Sequence, residues 1–232
     1  STLFPYTTLF RSPYSVWRER SARLAELTDT LPVPNWVPLL AKIGALFAVI
    51  VAFMLIGMLT CCVVQLLRGY TNLQPGLYLS GLLIQAVPFM LMAVAAIVLQ
   101  VISNNKVVGY LLYVLMMVVQ IALPPLHFEH NLYNFSNAPQ APHSDMNGFG
   151  HFISGVVWFQ TYWALFAVML ILLAAAFWVR GTPPSWRGRL QQARQNLRGA
   201  NAVALAVLGV AMAGVGTWIF YNTNVLNEDR KS

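Results

Sequence analysis

The residues best suited to chemistry are concentrated in one polar segment near the middle of the chain. It holds all four histidines, one glutamate and one aspartate: His127, Glu129, His130, His143, Asp145 and His151. Imidazole and carboxylate groups bind zinc and carry protons, so a metal or proton site is one interpretation. The segment lacks the i, i+4 histidine pair that places two ligands on one helical face. The favoured interpretation is therefore a structured loop in which Phe128, Leu132 and Phe135 dock on the bilayer or the bundle while the polar groups face water.

Sequence motifs for catalysis are missing from the chain. It contains no HExxH zinc motif, no phosphate-binding loop with its lysine, no GxSxG nucleophile motif and no glycine-rich dinucleotide fingerprint. We therefore expect no catalytic residue and no cofactor within these residues.

The composition indicates a membrane protein. Of 232 residues, 58% are hydrophobic and 9% are charged, whereas soluble domains carry roughly 25% charged residues. The apolar residues form long blocks without period-two alternation, so we predict an all-α bundle of about five transmembrane helices rather than a barrel. The net charge of +7 comes from basic residues beside these blocks, which favours lipid headgroups and argues against a nucleic-acid partner.

The two ends of the sequence resemble a sequencing artefact. Residues 1–12, STLFPYTTLFRS, match the translation of a common sequencing adapter, and residues 229–232 match its reverse complement. We exclude both from fold reasoning and expect residues 13–228 to be a piece of a longer reading frame.

The remaining sequence divides into three parts. Residues 13–38 predict an interfacial helix followed by a Pro-rich approach to the membrane. Residues 39–220 predict the bundle, with spans at about 39–67, 77–102, 107–123, 156–179 and 202–220. Residues 221–228 would begin an extracytoplasmic continuation.

The basic residues alternate between sides at every predicted crossing. One side collects three groups, which are Arg18, Arg20, Arg23 and Lys42, then Lys106, and then the loop residues Arg180, Arg187, Arg189, Arg194 and Arg198. The other side has only Arg68. Because lysine and arginine are retained in the cytoplasm, we predict a cytoplasmic N-terminal side and an extracytoplasmic C-terminal end.

Three features inside the spans predict helix contacts. Gln85 is interpreted as a buried interhelical hydrogen-bonding residue. Small residues Ala202, Ala206, Gly209 and Ala213 predict a close-packing stripe on the fifth span. The aromatic cluster of Trp158, Phe159, Tyr162 and Trp163 is interpreted as an interfacial belt, with a substrate path as the alternative.

Three stretches are informative through their order of residues and not only through their hydrophobicity. They are FEHNLYNFSNAPQAPHSDMNGFGHF at 128–152, VRGTPPSWRGRLQQARQNL at 179–197 and WIFYNTNVLNE at 218–228. They resemble the membrane half of bacterial proteins in which an ABC-type permease is fused to an aminopeptidase N-like zinc metallopeptidase. The resemblance covers roughly residues 110–228.

The resemblance implies a permease segment in a bacterial cytoplasmic membrane, with a separate ABC ATPase subunit and a second copy of the chain as partners. The zinc and its HExxH ligands would lie in a peptidase domain beyond Glu228, so no catalytic residue is carried over. The full-length parent would then be an enzyme although this chain is not. The alternative is a membrane anchor that holds the peptidase and transports nothing.

Overall fold

The computed structural model describes residues 34, 36–70, 75–126, 131–139, 148–150, 152–178 and 186–225. These residues contain six α-helices and no β-strand. The helices are α1 (Trp36–Leu67), α2 (Pro75–Ser103), α3 (Lys106–Ala122), α4 (Phe152–Ala176), α5 (Trp186–Asn196) and α6 (Ala200–Phe220). A short 3₁₀ turn, Pro124–Leu126, follows α3, and a π turn, Tyr221–Val225, extends α6. The predicted all-α class is confirmed.

Four helices are long and apolar enough to cross a membrane, namely α1, α2, α4 and α6 with its π turn. The third predicted span, α3, has 17 residues and a length of roughly 25 Å, slightly less than the apolar thickness of a bilayer. The chain is thus an all-α membrane protein. The predicted interfacial helix lies outside the described residues, and α1 already begins at Trp36, inside the predicted Pro-rich approach.

Local sequence explains where several helices begin and end. The amides of Gly69 and Tyr70 bond to the carbonyls of Leu66 and Gln65 at 3.0 Å each, a Schellman cap with a left-handed glycine that closes α1. The Asn105 side chain accepts hydrogen bonds from the amides of Val107 and Val108 and so starts α3. Only Asn104 and Asn105 separate α2 from α3, so the two helices are joined by a tight turn.

Two predicted boundaries need correction. The fourth span was predicted at 156–179, but α4 runs from Phe152 to Ala176. The arginine-rich stretch was predicted as a loop, yet it contains the 11-residue helix α5. Its side chains are too polar to give the hydropathy pattern of a span. In the sequence, its helical period is visible only in the spacing of Trp186, Leu190, Ala193 and Leu197.

The core lies where α1, α2 and α4 meet. Leu39 and Ile97 have no exposed surface, and Ala174 of α4 is equally enclosed. Helix α3 packs on α2, and α6 packs on α4. The most apolar stretch of α1 has no buried residue, as expected for a helix whose outer surface contacts lipid rather than protein.

Candidate functional site

The predicted metal or proton candidates lie outside the described residues. This holds for His127, Glu129, His130, His143, Asp145 and His151, so the metal or proton site stays a prediction, and the loop alternative is tested only at the described residues 131–139. Among the residues that are described, no cluster of three histidine, cysteine or acidic side chains could hold a metal ion. The two structured sites are instead at opposite ends of the bundle.

We call one of them the arginine end, which comprises α5 with Lys42, Lys106 and Trp178. Its centre is Arg189, whose side chain is only 3% exposed. The guanidinium donates from Nη2 to the carbonyl oxygen of Val101 at 3.0 Å and from Nη1 to that of Ile102 at 3.1 Å. A longer bond of 3.5 Å joins Nη2 to the carbonyl oxygen of Phe177. Arg189 therefore joins the ends of α2 and α4.

The position of Arg189 has an electrostatic reason. The last carbonyls of a helix lack intrahelical partners and carry the negative end of the helix dipole, which a cation stabilises. Two such ends meet at Arg189, and the rigid guanidinium fork can serve both at once. The Trp186 ring lies 5.5 Å from the same guanidinium in a cation–π arrangement.

A second contact fixes the direction of α5. The Asn196 Nδ2 donates to the carbonyl oxygen of Ala176 at 3.1 Å. Arg189 and Asn196 are roughly 10 Å apart along a helix, and both bond to the same end of the bundle. Helix α5 therefore lies across this end rather than continuing a span.

The turn after α5 depends on glycine. Gly199 has φ +67°, a left-handed conformation in which other residues are strained. It precedes α6, and Asn201 Nδ2 donates back to the Asn196 carbonyl oxygen at 2.8 Å. The chain can thus turn from the surface helix directly into the last span.

Aromatic side chains lie near both ends of the bundle, as they do at membrane interfaces. At the arginine end, the Lys42 Nζ lies 5.3 Å from the ring centre of Trp178. At the opposite end, Trp158 of α4 faces Trp218 of α6 with ring centres 6.2 Å apart. Trp158 and Trp178 are separated by roughly 30 Å along the helix, which is the thickness of a bilayer's apolar core.

We call the second structured site the loop end, formed by residues 131–139 against α2, α3 and α4. The Ser136 Oγ donates to the carbonyl oxygen of Pro88 at 3.0 Å, and the Trp163 Nε1 donates to that of Asn137 at 3.0 Å. Two longer bonds, 3.3 Å and 3.4 Å, connect Asn134 and Phe135 with Gln120. The Phe135 ring packs edge-on to Trp163 at 5.2 Å.

This loop packs against the middle of an apolar helix. Ser136 contacts Pro88 in the middle of α2, and Trp163 lies about 7 Å along the helix from Trp158 towards the membrane centre. Irregular backbone is stable at that depth only when protein groups satisfy it, as the bonds above do. The prediction that Phe135 docks is confirmed. The prediction that the loop's polar groups face water is wrong for Ser136, which is buried and bonded to α2.

The predictions for the aromatic cluster, Gln85 and the small-residue stripe differ in part from the structure. Trp158 is exposed as a belt residue, but Phe159 and Trp163 are buried in the bundle, because their positions on α4 face α2 and the loop. Gln85 is exposed, whereas two other glutamines bond between helices. Gln160 donates to the Ile84 carbonyl oxygen of α2, and Gln65 of α1 accepts from the Tyr78 hydroxyl of α2. In the small-residue stripe Ala202, Ala206 and Ala213 are exposed, since α6 turns a different face towards α4.

The sequence did not lead us to predict that Arg189 is buried at the centre of the arginine end. It was grouped with four neighbouring arginines as a topology signal, and an arginine is almost never predicted to be fully buried. Its i, i+4 relation to Ala193 and i, i+7 relation to Asn196 places all three on one face of α5. That small signal is visible in the sequence once α5 is known to be a helix.

Comparison of the chain with protein-family models, curated proteins and solved structures finds no match.

Proposed function

We propose that this chain is a transmembrane permease segment of an ABC-type transporter, joined in the full-length protein to an extracytoplasmic zinc aminopeptidase. The proposal begins from the three stretches of sequence resemblance. The multi-pass helical architecture is compatible with it. The bound zinc and the catalytic residues would belong to the peptidase domain and not to these residues.

The observation that supports the transport proposal is the attachment of α5 by hydrogen bonds to the ends of α2 and α4. A transporter driven by a separate ATPase needs an element at the membrane surface that receives a displacement and passes it to the spans. Helix α5 bonds through Arg189 and Asn196 to the last carbonyls of α2 and α4. A displacement of α5 would therefore move two spans, and a simple anchor has no need of this connection.

The outer face of α5 offers a surface for the ATPase. Its exposed uncharged polar side chains are Gln191, Gln192 and Gln195. They carry no charge and can donate and accept hydrogen bonds. We propose that this face lies in the cytoplasm, in a bacterial cytoplasmic membrane, with the C-terminal end of α6 on the opposite side.

The test is ATP hydrolysis by an ATPase subunit that co-purifies with the full-length protein in liposomes. We expect the membrane half to stimulate hydrolysis. In the Arg189→Gln variant, the ATPase should still bind but stimulation should fall at least fivefold, because α5 no longer moves α2 and α4 together. Aminopeptidase activity of the same sample serves as the control for folding.

Two outcomes distinguish transport from anchoring. Loss of stimulation in Arg189→Gln with peptidase activity intact supports the permease. If the wild-type protein neither retains an ATPase nor stimulates one, while its peptidase remains active, the transport proposal fails and the bundle is an anchor.

A further inference from the structure

We propose that α5 and the turn after it form a docking surface for anionic phospholipid headgroups, through Arg187, Arg194 and Arg198 above an apolar edge made by Trp186 and Leu190. The proposal does not depend on the transport function. It concerns how the arginine end is held in its leaflet.

The first argument is the arrangement of side chains around α5. Arg189 and Ala193 point into the bundle, with 3% and 1% of their surfaces exposed. At 100° per residue, Trp186 and Leu190 follow on one side of this buried face. Both are exposed, at 58% and 54%.

Two exposed arginines come next around the helix, and a third follows its end. Arg194 and Arg187 lie within about 20° of each other beyond Leu190. Arg198 lies in the turn after α5, and all three arginines are exposed. The order from the bundle outwards is thus apolar, cationic and then the polar glutamine face. A helix in the membrane interface needs this order, with the apolar edge among acyl chains and the cations among phosphates.

The second argument is the depth of the helix. Arg189 and Asn196 bond to carbonyls that terminate α2 and α4. The Trp178 ring marks the same level. Tryptophan rings and helix ends together define the headgroup region, so the outer arginines of α5 lie among phosphates rather than in bulk water.

The third argument is charge. The described residues include no aspartate or glutamate, whereas Lys42, Lys106 and four arginines of the stretch 186–198 gather at this end. Within the described structure, Arg187, Arg194 and Arg198 therefore have no carboxylate to pair with. By sequence, residues 13–38 contain Arg18, Arg20 and Arg23 with Glu19, Glu26 and Asp29, so this segment adds no net negative charge. Lipid phosphates supply the missing charge.

The experiment measures lipid retention by the full chain in nanodiscs that contain phosphatidylglycerol and phosphatidylcholine. Native mass spectrometry reports how many molecules of each lipid remain bound. One arginine near an anionic surface strengthens binding by about fivefold. We expect Arg187→Gln, Arg194→Gln and Arg198→Gln combined to lower the preference for phosphatidylglycerol by at least about tenfold, after screening by salt.

The matched control is Arg68→Gln, which removes an exposed arginine from the opposite end. It is compared directly with the single change Arg194→Gln. Only the latter should reduce phosphatidylglycerol retention, by about fivefold or less. A triple lysine variant tests folding, because it keeps the charges and should keep most of the lipid preference.

Three outcomes would overturn the proposal. The first is an unchanged lipid preference in the triple glutamine variant, and the second is an equal loss in Arg68→Gln. The third is a triple variant that retains phosphatidylglycerol but loses the ATPase subunit, which would make the arginines a protein-binding surface. Leu190→Gln should also weaken retention of the lipid without changing retention of soluble glycerol phosphate, which separates a bilayer from a free phosphate.

Discussion

The side-chain amide of Gln160 donates a 2.9 Å hydrogen bond to the carbonyl oxygen of Ile84, in the adjacent span. This carbonyl is four residues before Pro88, the proline inside α2. Because proline has no amide hydrogen, the Ile84 carbonyl has no intrahelical donor at its usual position. A glutamine from α4 thus completes the hydrogen bonding of a proline-interrupted helix inside the membrane.

This relationship predicts the effect of Gln160→Leu. The substitution leaves a carbonyl in the apolar layer without its donor and should lower the free energy of unfolding by about 1 kcal/mol, the usual scale for interhelical bonds in membranes. Unfolding in mixed detergent micelles measures the change. In the Pro88→Ala background, the restored amide should satisfy Ile84, so Gln160→Leu should cost much less. Equal costs in both backgrounds would show that the bond does not compensate for the proline.

Arg189 is expected to contribute more to stability than any other arginine of α5. Arg189→Met removes three hydrogen bonds to helix ends and should destabilise the protein by roughly 3 kcal/mol, since bonds to a charged group are strong. Arg189→Lys should recover part of this, because lysine keeps the charge without the planar fork. Thermal unfolding in detergent measures the order of the variants. Arg187→Met is the control, and an equal effect there would contradict a special role for Arg189.

Gly109 permits close contact between α2 and α3. A Cβ atom at this position would lie 2.6 Å from the Cδ and Oε1 of Gln100, whose side chain is 1% exposed and has little space to move. We expect Gly109→Ala to destabilise the bundle by about 1 to 3 kcal/mol, as overpacking does. Gly57→Ala is the matched control, because nothing lies within 4 Å of its added Cβ.

The control should be neutral or slightly stabilising, since alanine favours helix by about 1 kcal/mol over glycine. A double variant with Gln100→Ala provides the decisive measurement. It creates space beside Gly109, so Gly109→Ala should cost less there than in the wild type. A similar cost of Gly109→Ala in both backgrounds would show that Gln100 is not the source of the strain.

Trp163 attaches residues 131–139 to α4 at the loop end of the bundle. Trp163→Phe keeps an aromatic ring but loses the bond from Nε1 to the Asn137 carbonyl oxygen. We expect limited proteolysis between residues 131 and 139 to become several times faster, because the loop opens locally at a lower free-energy cost. Trp158→Phe, in the exposed belt, should leave the cleavage rate unchanged. The same acceleration in both variants would indicate a general loss of stability.

The predicted orientation can be tested with introduced cysteines. Cys61 and Cys62 are the two free cysteines of the described residues, and both are first replaced by alanine. Single cysteines are then placed at Gln195 and Tyr70. Both positions are exposed and lie at opposite ends. In intact cells an impermeant maleimide should label Tyr70→Cys only, and Gln195→Cys should react after lysis. The reverse pattern would invert the topology and remove the cytoplasmic location proposed for α5.

The sequence by itself determined the helical spans and the clustering of charge. Apolar blocks such as 39–67 can satisfy their backbone in lipid only as helices, and lysine and arginine reside outside the apolar layer, so both properties can be read locally. Gly69 and Asn105 likewise marked helix limits through local hydrogen bonds. Even these signals placed the start of α4 four residues late, because Ser154 and Gly155 interrupt the apolar pattern in its first turn.

The tertiary structure alone decided which polar residues are buried and what they bind. Gln160 and Ile84 are 76 residues apart, and Arg189 and Ile102 are 87 apart. Gln85 and Gln160 both lie in apolar spans, yet only Gln160 faces a carbonyl that lacks a donor. The rotation of each helix towards its neighbours makes that difference, and helix packing sets this rotation through contacts distant in sequence. For the same reason Arg189 lies at the centre of the arginine end and Arg187, two residues earlier, faces outwards.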